Sequence, residues 1–196
     1  MIRKINFLLI LIASSLSIFI AINKDTDIVY FLKDISVVLT VSGLYIINKI
    51  FKLKINEVII FIYILFIFMA HFLGVVMDLY SQVFWYDKFT HCLSGVLTAF
   101  LAIFLLVKYK DCKKLSFSIL FIISFSMLIA SCWEIFEYLS SYYFGVDPQK
   151  VVLTGVSDTM GDIIVALLGS ILVSISYYFE HKNSYNLIIK KIEKLI

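Results

Sequence analysis

Charge is scarce in this chain. Only 16% of its 196 residues are charged, 62% are hydrophobic, and the mean hydropathy is +1.00, whereas soluble domains carry about a quarter charged residues. That shortage excludes an ordinary water-soluble fold. Runs that alternate apolar with polar residues are missing too, which excludes a transmembrane β-barrel and leaves helices as the way to satisfy the backbone in lipid. Proline is nearly absent. The one proline, Pro148, lies with Gly145 in "SYYFGVDPQKVVLTGVSD" (141–158), so no low-complexity linker separates domains. The three cysteines, Cys92, Cys112 and Cys132, are odd in number and lack C-x-x-C spacing, so they read as small buried apolar residues. Cys92 and Cys132 fall toward the same ends of their spans, and whether they pair is left open.

What the chain has is long apolar runs. A bilayer core of about 30 Å takes about 20 residues per helix. Six spans follow, at about 5–22, 29–48, 57–77, 89–107, 115–138 and 159–179. The expected fold class is all-α, a polytopic bundle of six transmembrane helices in one domain over 1–196. Arg3 and Lys4 precede the first span as in a signal peptide, but its length and the lack of a cleavage pattern read as a retained anchor. Lys33 and Asp34 at the start of the second span are expected to snorkel to the interface.

Thirteen of the seventeen Lys and Arg residues fall on one side of these spans, with four of the fourteen acidic residues. By the positive-inside rule both termini are cytoplasmic. The net charge of +3 is thus a topology signal. It gives no reason to expect a nucleic-acid partner; the bilayer is the partner, and lysines near anionic lipid heads are part of that.

The scarce charges are not scattered. In "YDKFTHCLSG" (86–95), Asp87 and His91 are four apart and begin the fourth span; Asp158 and Asp162, also four apart, begin the sixth; Glu134 and Glu137 are three apart near the end of the fifth. Each pair shares one helix face. His71 lies near the outer end of the third span. All seven lie on the outer side of the expected topology, and lipid exposure would cost each charge up to about 2.5–3.5 kcal/mol. They are expected to face one another. Five carboxylates in one desolvated pocket need protons or a cation, and two imidazoles among carboxylates suit Zn, Mn or Fe. The metal set is then His71, Asp87, His91, Glu137 and Asp162, with Glu134 and Asp158 as catalytic carboxylates. Plainer readings exist. Asp87 and Asp158 at helix starts complement the dipole, and a lone intramembrane His71 often serves as a hydrogen-bonding core group. Glu134 and Glu137, at a helix C-terminal end, are not explained by capping. Asp25, Asp27 and Asp147 read as solvated loop residues, and Gly74, Gly95, Gly161 and Gly169 as helix-packing positions.

At these residues the sequence resembles a known family. "HFLG" (71–74), "YDKFTHCLSG" (86–95), "WEIFEY" (133–138) and "SDTMGDIIVALLG" (157–169) resemble the successive motifs of the YjdF-like bacterial inner-membrane proteins, with a looser similarity to VanZ-like proteins. The resemblance covers about 71–169. It matches His71, Asp87, His91, Glu134, Glu137, Asp158 and Asp162 one by one, and departs from the family in "VDPQKVVLTGVSD". It implies a multipass protein of the bacterial cytoplasmic membrane and supplies no reaction.

Three functions suit such a pocket: a metal-dependent hydrolase or transferase acting on a lipid or lipid-linked envelope substrate, a non-catalytic envelope accessory, or an ion- or proton-coupled transporter. In the inner halves of spans three to six the one acidic residue is Glu57, at the first position of the third, which disfavours the last. The topology gives the first prediction. A C-terminal reporter active only in the cytoplasm is expected to be active, and one active only outside the cell to be silent; the reverse pattern would refute the six-span orientation.

Overall fold

The computed structural model describes residues 1–24, 28–109, 114–183 and 187–195. They are helical, with no strand among the described residues, and six helices are long and apolar enough to cross a membrane. The chain forms two compact units, Met1–Tyr86 and Asp87–Lys194.

The first unit holds α1 (Ile2–Lys24), α2 (Ile28–Phe51), α3 (Glu57–Ile67), a π-helical continuation (Phe68–Val76) and the short α4 (Leu79–Gln82). Asn56 caps α3 by accepting from the Val58 amide. Ala13, Val41, Ile60 and Ile64 pack α1, α2 and α3 together. Val37 packs against Phe72 and Val76 of the π segment. Asp34 departs from its expected snorkelling. It is 3% exposed, because it shares the packing face of Val37 and Val41, and its carbonyl accepts from Ser17 Oγ of α1 at 2.9 Å.

The second unit holds α5 (Tyr86–Tyr109), α6 (Leu115–Phe144), α7 (Val151–Thr154), α8 (Ser157–Asn183) and α9 (Leu187–Glu193). Their core centres on Ala99, Ile103, Leu106, Ile122, Val173 and Tyr177. The opposite face of α8, with Ile164, Leu168, Leu172 and Ile175, is 48–60% exposed, as a lipid-facing surface is. At 30 residues α6 runs six residues past its expected end; at about 1.5 Å per residue it is about 45 Å long, more than the bilayer core needs. The surplus is aromatic. Tyr142, Tyr143 and Phe144 are exposed, as in an interfacial belt, and Gly145 stops the helix in the left-handed region at φ 67°.

Without a hydrophobic drive between helices in lipid, small residues decide where helices meet. The buried positions of α6 recur every four residues: Ser118, Ile122, Ser126, Ala130, Glu134. On α8 the same spacing gives Asp158, Asp162, Ala166, Ser170 and Ser174, and on α5 it gives Asp87, His91, Gly95 and Ala99. A side chain at Gly95 would strike the Ala166 backbone, and one at Gly169 the Cys92 carbonyl. Thr98 donates to Ser126 Oγ at 3.0 Å, tying α5 to α6. The cysteines depart from expectation: Cys92 is half-buried and Cys132 exposed, both free thiols, because Cys132 lies off the buried stripe of α6. Cys112, Asp25 and Asp27 lie outside the described residues.

Gly169→Val should therefore lower stability by about 1–3 kcal/mol or more and disturb α5 against α8. Gly43→Ala, whose added carbon would meet only the Tyr63 hydroxyl at 3.4 Å, should be near neutral. Thermal unfolding of both variants in detergent checks the contrast, and equal tolerance would contradict the close approach.

Candidate functional site

Near Gly95 and Ala166 the backbones of α5 and α8 touch, and both helices begin at the same end of the unit. One turn toward that end, His91 meets Asp162; a second turn brings up Asp87 and Asp158. His91 Nε2 lies 3.5 Å from Asp87 Oδ1 and 3.7 Å from Asp162 Oδ1, and His91 Nδ1 lies 3.9 Å from Glu134 Oε1. Asp87, His91, Glu134, Asp158 and Asp162 are all 9% exposed or less. Five of the seven residues singled out in the sequence thus share one site.

The other two have hydrogen-bond partners of their own. His71 belongs to the first unit, on the π segment, with Nδ1 2.8 Å from Thr40 Oγ1 and Nε2 3.1 Å from Ser36 Oγ. Glu137 accepts from Trp133 Nε1 of its own helix at 2.9 Å. Because α6 continues to Phe144, Glu134 and Glu137 stand two to three turns before its end. Their place follows from packing in the case of Glu134, which continues the four-residue stripe, and the helix-end argument against capping no longer bears on them.

Three residues not singled out in the sequence complete the site. Lys88 Nζ donates to Asp158 Oδ1 at 2.6 Å and to both oxygens of Asp162 at 3.0 Å, and lies 3.8 Å from Asp87. Lys150, on the α6–α8 connection, donates to Asp87 Oδ2 and lies 3.6 Å from Asp158 Oδ2. Gln149, 7% exposed, donates its amide to the Glu134 carbonyl and to Glu134 Oε2, both at 3.1 Å. Lys88 was readable in "YDKFTHCLSG", one residue from Asp87, but entered only as one of the four basic residues on the minority side of the charge count. Lys150 and Gln149 sit in an irregular loop where spacing carries no facing information. Asp147 caps the α7 turn, accepting from the Val151 and Val152 amides, and is exposed as expected.

Electrostatically, four carboxylates face two ammonium groups and one imidazole. Burial acts most strongly and lowers the Lys150 pKa, but the hydrogen bond to Asp87 and the charges of Asp87 and Asp158 together outweigh it and hold the group above its ordinary value of 10.5. Lys150 is therefore charged at neutral pH, and the stability it contributes fades only as pH rises through that raised value. Two positive charges leave the carboxylates under-compensated.

The donor set also fits a metal. Among the described residues, Asp87, His91 and Asp162 each offer one ligand atom, all within 4.8 Å of one another. The separations of 3.5 and 3.7 Å exceed a hydrogen bond, but ligands about 2.1 Å from a tetrahedral ion stand about 3.4 Å apart. Glu134 Oε1, at 3.9 Å from Nδ1, lies on the side from which a carboxylate commonly orients a ligating imidazole, but beyond hydrogen-bond reach of it. Lys88, at 3.0 Å from both Asp162 oxygens, competes for the same charge.

Lys88→Met should strip the counter-charge from two buried aspartates and cost about 2 kcal/mol or more, since breaking a buried pair is far costlier than losing an exposed one. Denaturant unfolding of the detergent-solubilised protein measures this. Wild-type stability in the variant would contradict the clamp.

Neither a curated protein nor a solved structure matches this chain. A family described as "Predicted membrane protein (DUF2238)" matches residues 5–183, from α1 to the end of α8. That match takes in both units and every residue of the charged site, and it agrees with six apolar helices long enough to span a bilayer. On this evidence the chain is a member of the DUF2238 family of multipass membrane proteins.

Proposed function

We propose that this protein is a hydrolase or transferase of the bacterial cytoplasmic membrane, with a divalent transition metal of the Zn, Mn or Fe kind held by Asp87, His91 and Asp162, acting on a lipid or lipid-linked envelope substrate at the outer face. The observation that carries the reading is the convergence of one imidazole nitrogen and two carboxylate oxygens within 4.8 Å, in a membrane unit where every unneeded charge is costly. Imidazole with two carboxylates suits those ions better than Ca or Mg.

Such an ion, when bound, supplies Lewis acidity and lowers the pKa of water. The chain's own residues do the rest. Glu134 Oε1, buried and without a hydrogen-bond donor, is placed to take a proton from an attacking water or hydroxyl. Gln149 fixes its other oxygen. Asp158 holds Lys88 and so sets the position of Asp162. Lys150, on the connecting loop, holds Asp87 in place. In this reading His71 and Glu137 are supporting residues of their own helices rather than ligands.

A second reading has its own observation. Lys88 already bridges Asp158 and Asp162, so the network can lock the helices of an accessory protein without metal or reaction. Elemental analysis of detergent-purified protein separates the two. The enzyme reading expects about one transition-metal ion per chain, lost in His91→Ala and kept in His71→Ala; a wild-type protein that takes up no ion after exposure to Zn, Mn and Fe would favour the lock.

A further inference from the structure

Beside the charged site lies a shallow, open cleft of about 390 Å³. Its walls include Ile135, Tyr138, Val151 and Val156, and Glu134 and Gln149 are among its polar lining. Ile135 and Tyr138 are 57% and 59% exposed and Val156 70%, so the cleft is continuous with the surface that lipid wets.

Glu134 is the anomaly in it. The residue is 6% exposed, and its Oε1 accepts no hydrogen bond. Both nearby lysines are committed to aspartates, Lys88 to Asp158 and Asp162 and Lys150 to Asp87. Among the described residues the one group within 4.0 Å that could carry positive charge to Glu134 is His91, at 3.9 Å. A buried carboxylate without a cation is costly.

We infer that the cleft is a lipid subsite in which an alkyl chain lies along Ile135, Tyr138, Val151 and Val156, and the Glu134 side chain turns toward it so that Oε1 accepts from a primary-ammonium head. An ammonium supplies both missing elements, a donor and a positive charge; a hydroxyl supplies only the donor. An anionic head is repelled by carboxylates that outnumber the lysines. The inference rests on the lipid-substrate reading in drawing its occupant from the bilayer, but it does not require the metal.

The test uses the full chain reconstituted in phosphatidylcholine bilayers containing equal amounts of phosphatidylethanolamine and phosphatidylglycerol, with bound lipids counted by native mass spectrometry and metal content measured on the same samples. Wild type is expected to retain phosphatidylethanolamine over phosphatidylglycerol by about tenfold, in keeping with one charge-assisted hydrogen bond. Glu134→Gln should bring the ratio close to one, Glu134→Asp should restore part of it, and Val156→Trp, which fills the cleft, should remove both lipids. A wild-type protein without the preference, or a Glu134→Gln or Val156→Trp protein that keeps it, overturns the inference. Should Glu134→Gln not fold, wild type against Val156→Trp decides. Loss of the preference with metal retained sinks the subsite alone; a preference kept in metal-free wild type sinks the metal reading alone.

Discussion

The site depends on one close approach. Gly95 and Gly169 carry no side chain where α5 and α8 meet, and the backbones touch at Ala166 and Cys92. Everything polar follows by helical geometry. Moving one turn toward the common end carries the contact from Gly95 and Ala166 to His91 and Asp162, and a second turn to Asp87 and Asp158. Helices held this close leave no room for the carboxylates to reach solvent past one another, so they must be compensated where they are.

Compensation is divided unequally. Lys88 serves Asp158 and Asp162, and Lys150 serves Asp87, while Glu134 receives only the Gln149 amide and a distant imidazole. The aspartate end is therefore an ion-pair network, and the glutamate end a carboxylate facing an apolar cleft. A divalent ion among Asp87, His91 and Asp162 would complete the balance, for four carboxylates against two ammonium groups leave two negative charges. The same count explains why Lys88 and an ion are rivals for Asp162: each lowers the need for the other. A hydrolase of lipids and a helix lock differ here in which of the two holds Asp162.

Much of this was legible in the sequence. The six helices follow from hydropathy, and the facing pairs Asp87 with His91 and Asp158 with Asp162 follow from a spacing of four. Glu134 was found by its spacing with Glu137 and the cost of lipid exposure, although its supposed place at a helix end did not survive; the packing stripe from Ser118 through Ser126 explains its position and was visible as a spacing of four. His71 was drawn in because periodicity cannot reveal that Ser36 and Thr40 of another helix take both its nitrogens. Lys88 was one of only four basic residues on the outer side of the span count, and a positive-inside count treats such a lysine as a tally mark and not as a partner. Lys150 and Gln149 come from irregular backbone, with Lys150 itself at φ 52°, where no repeat indicates which way a side chain turns.

The central claim is that Asp87, His91 and Asp162 form a metal centre. Anomalous difference density from crystals of the protein grown with Mn²⁺ tests it most directly. The expected result is one peak about 2.0–2.3 Å from His91 Nε2 and from an oxygen of each aspartate, with Lys88 drawn back from Asp162. Density that leaves Lys88 seated on Asp162, with Mn²⁺ peaks only at exposed carboxylates, would contradict it.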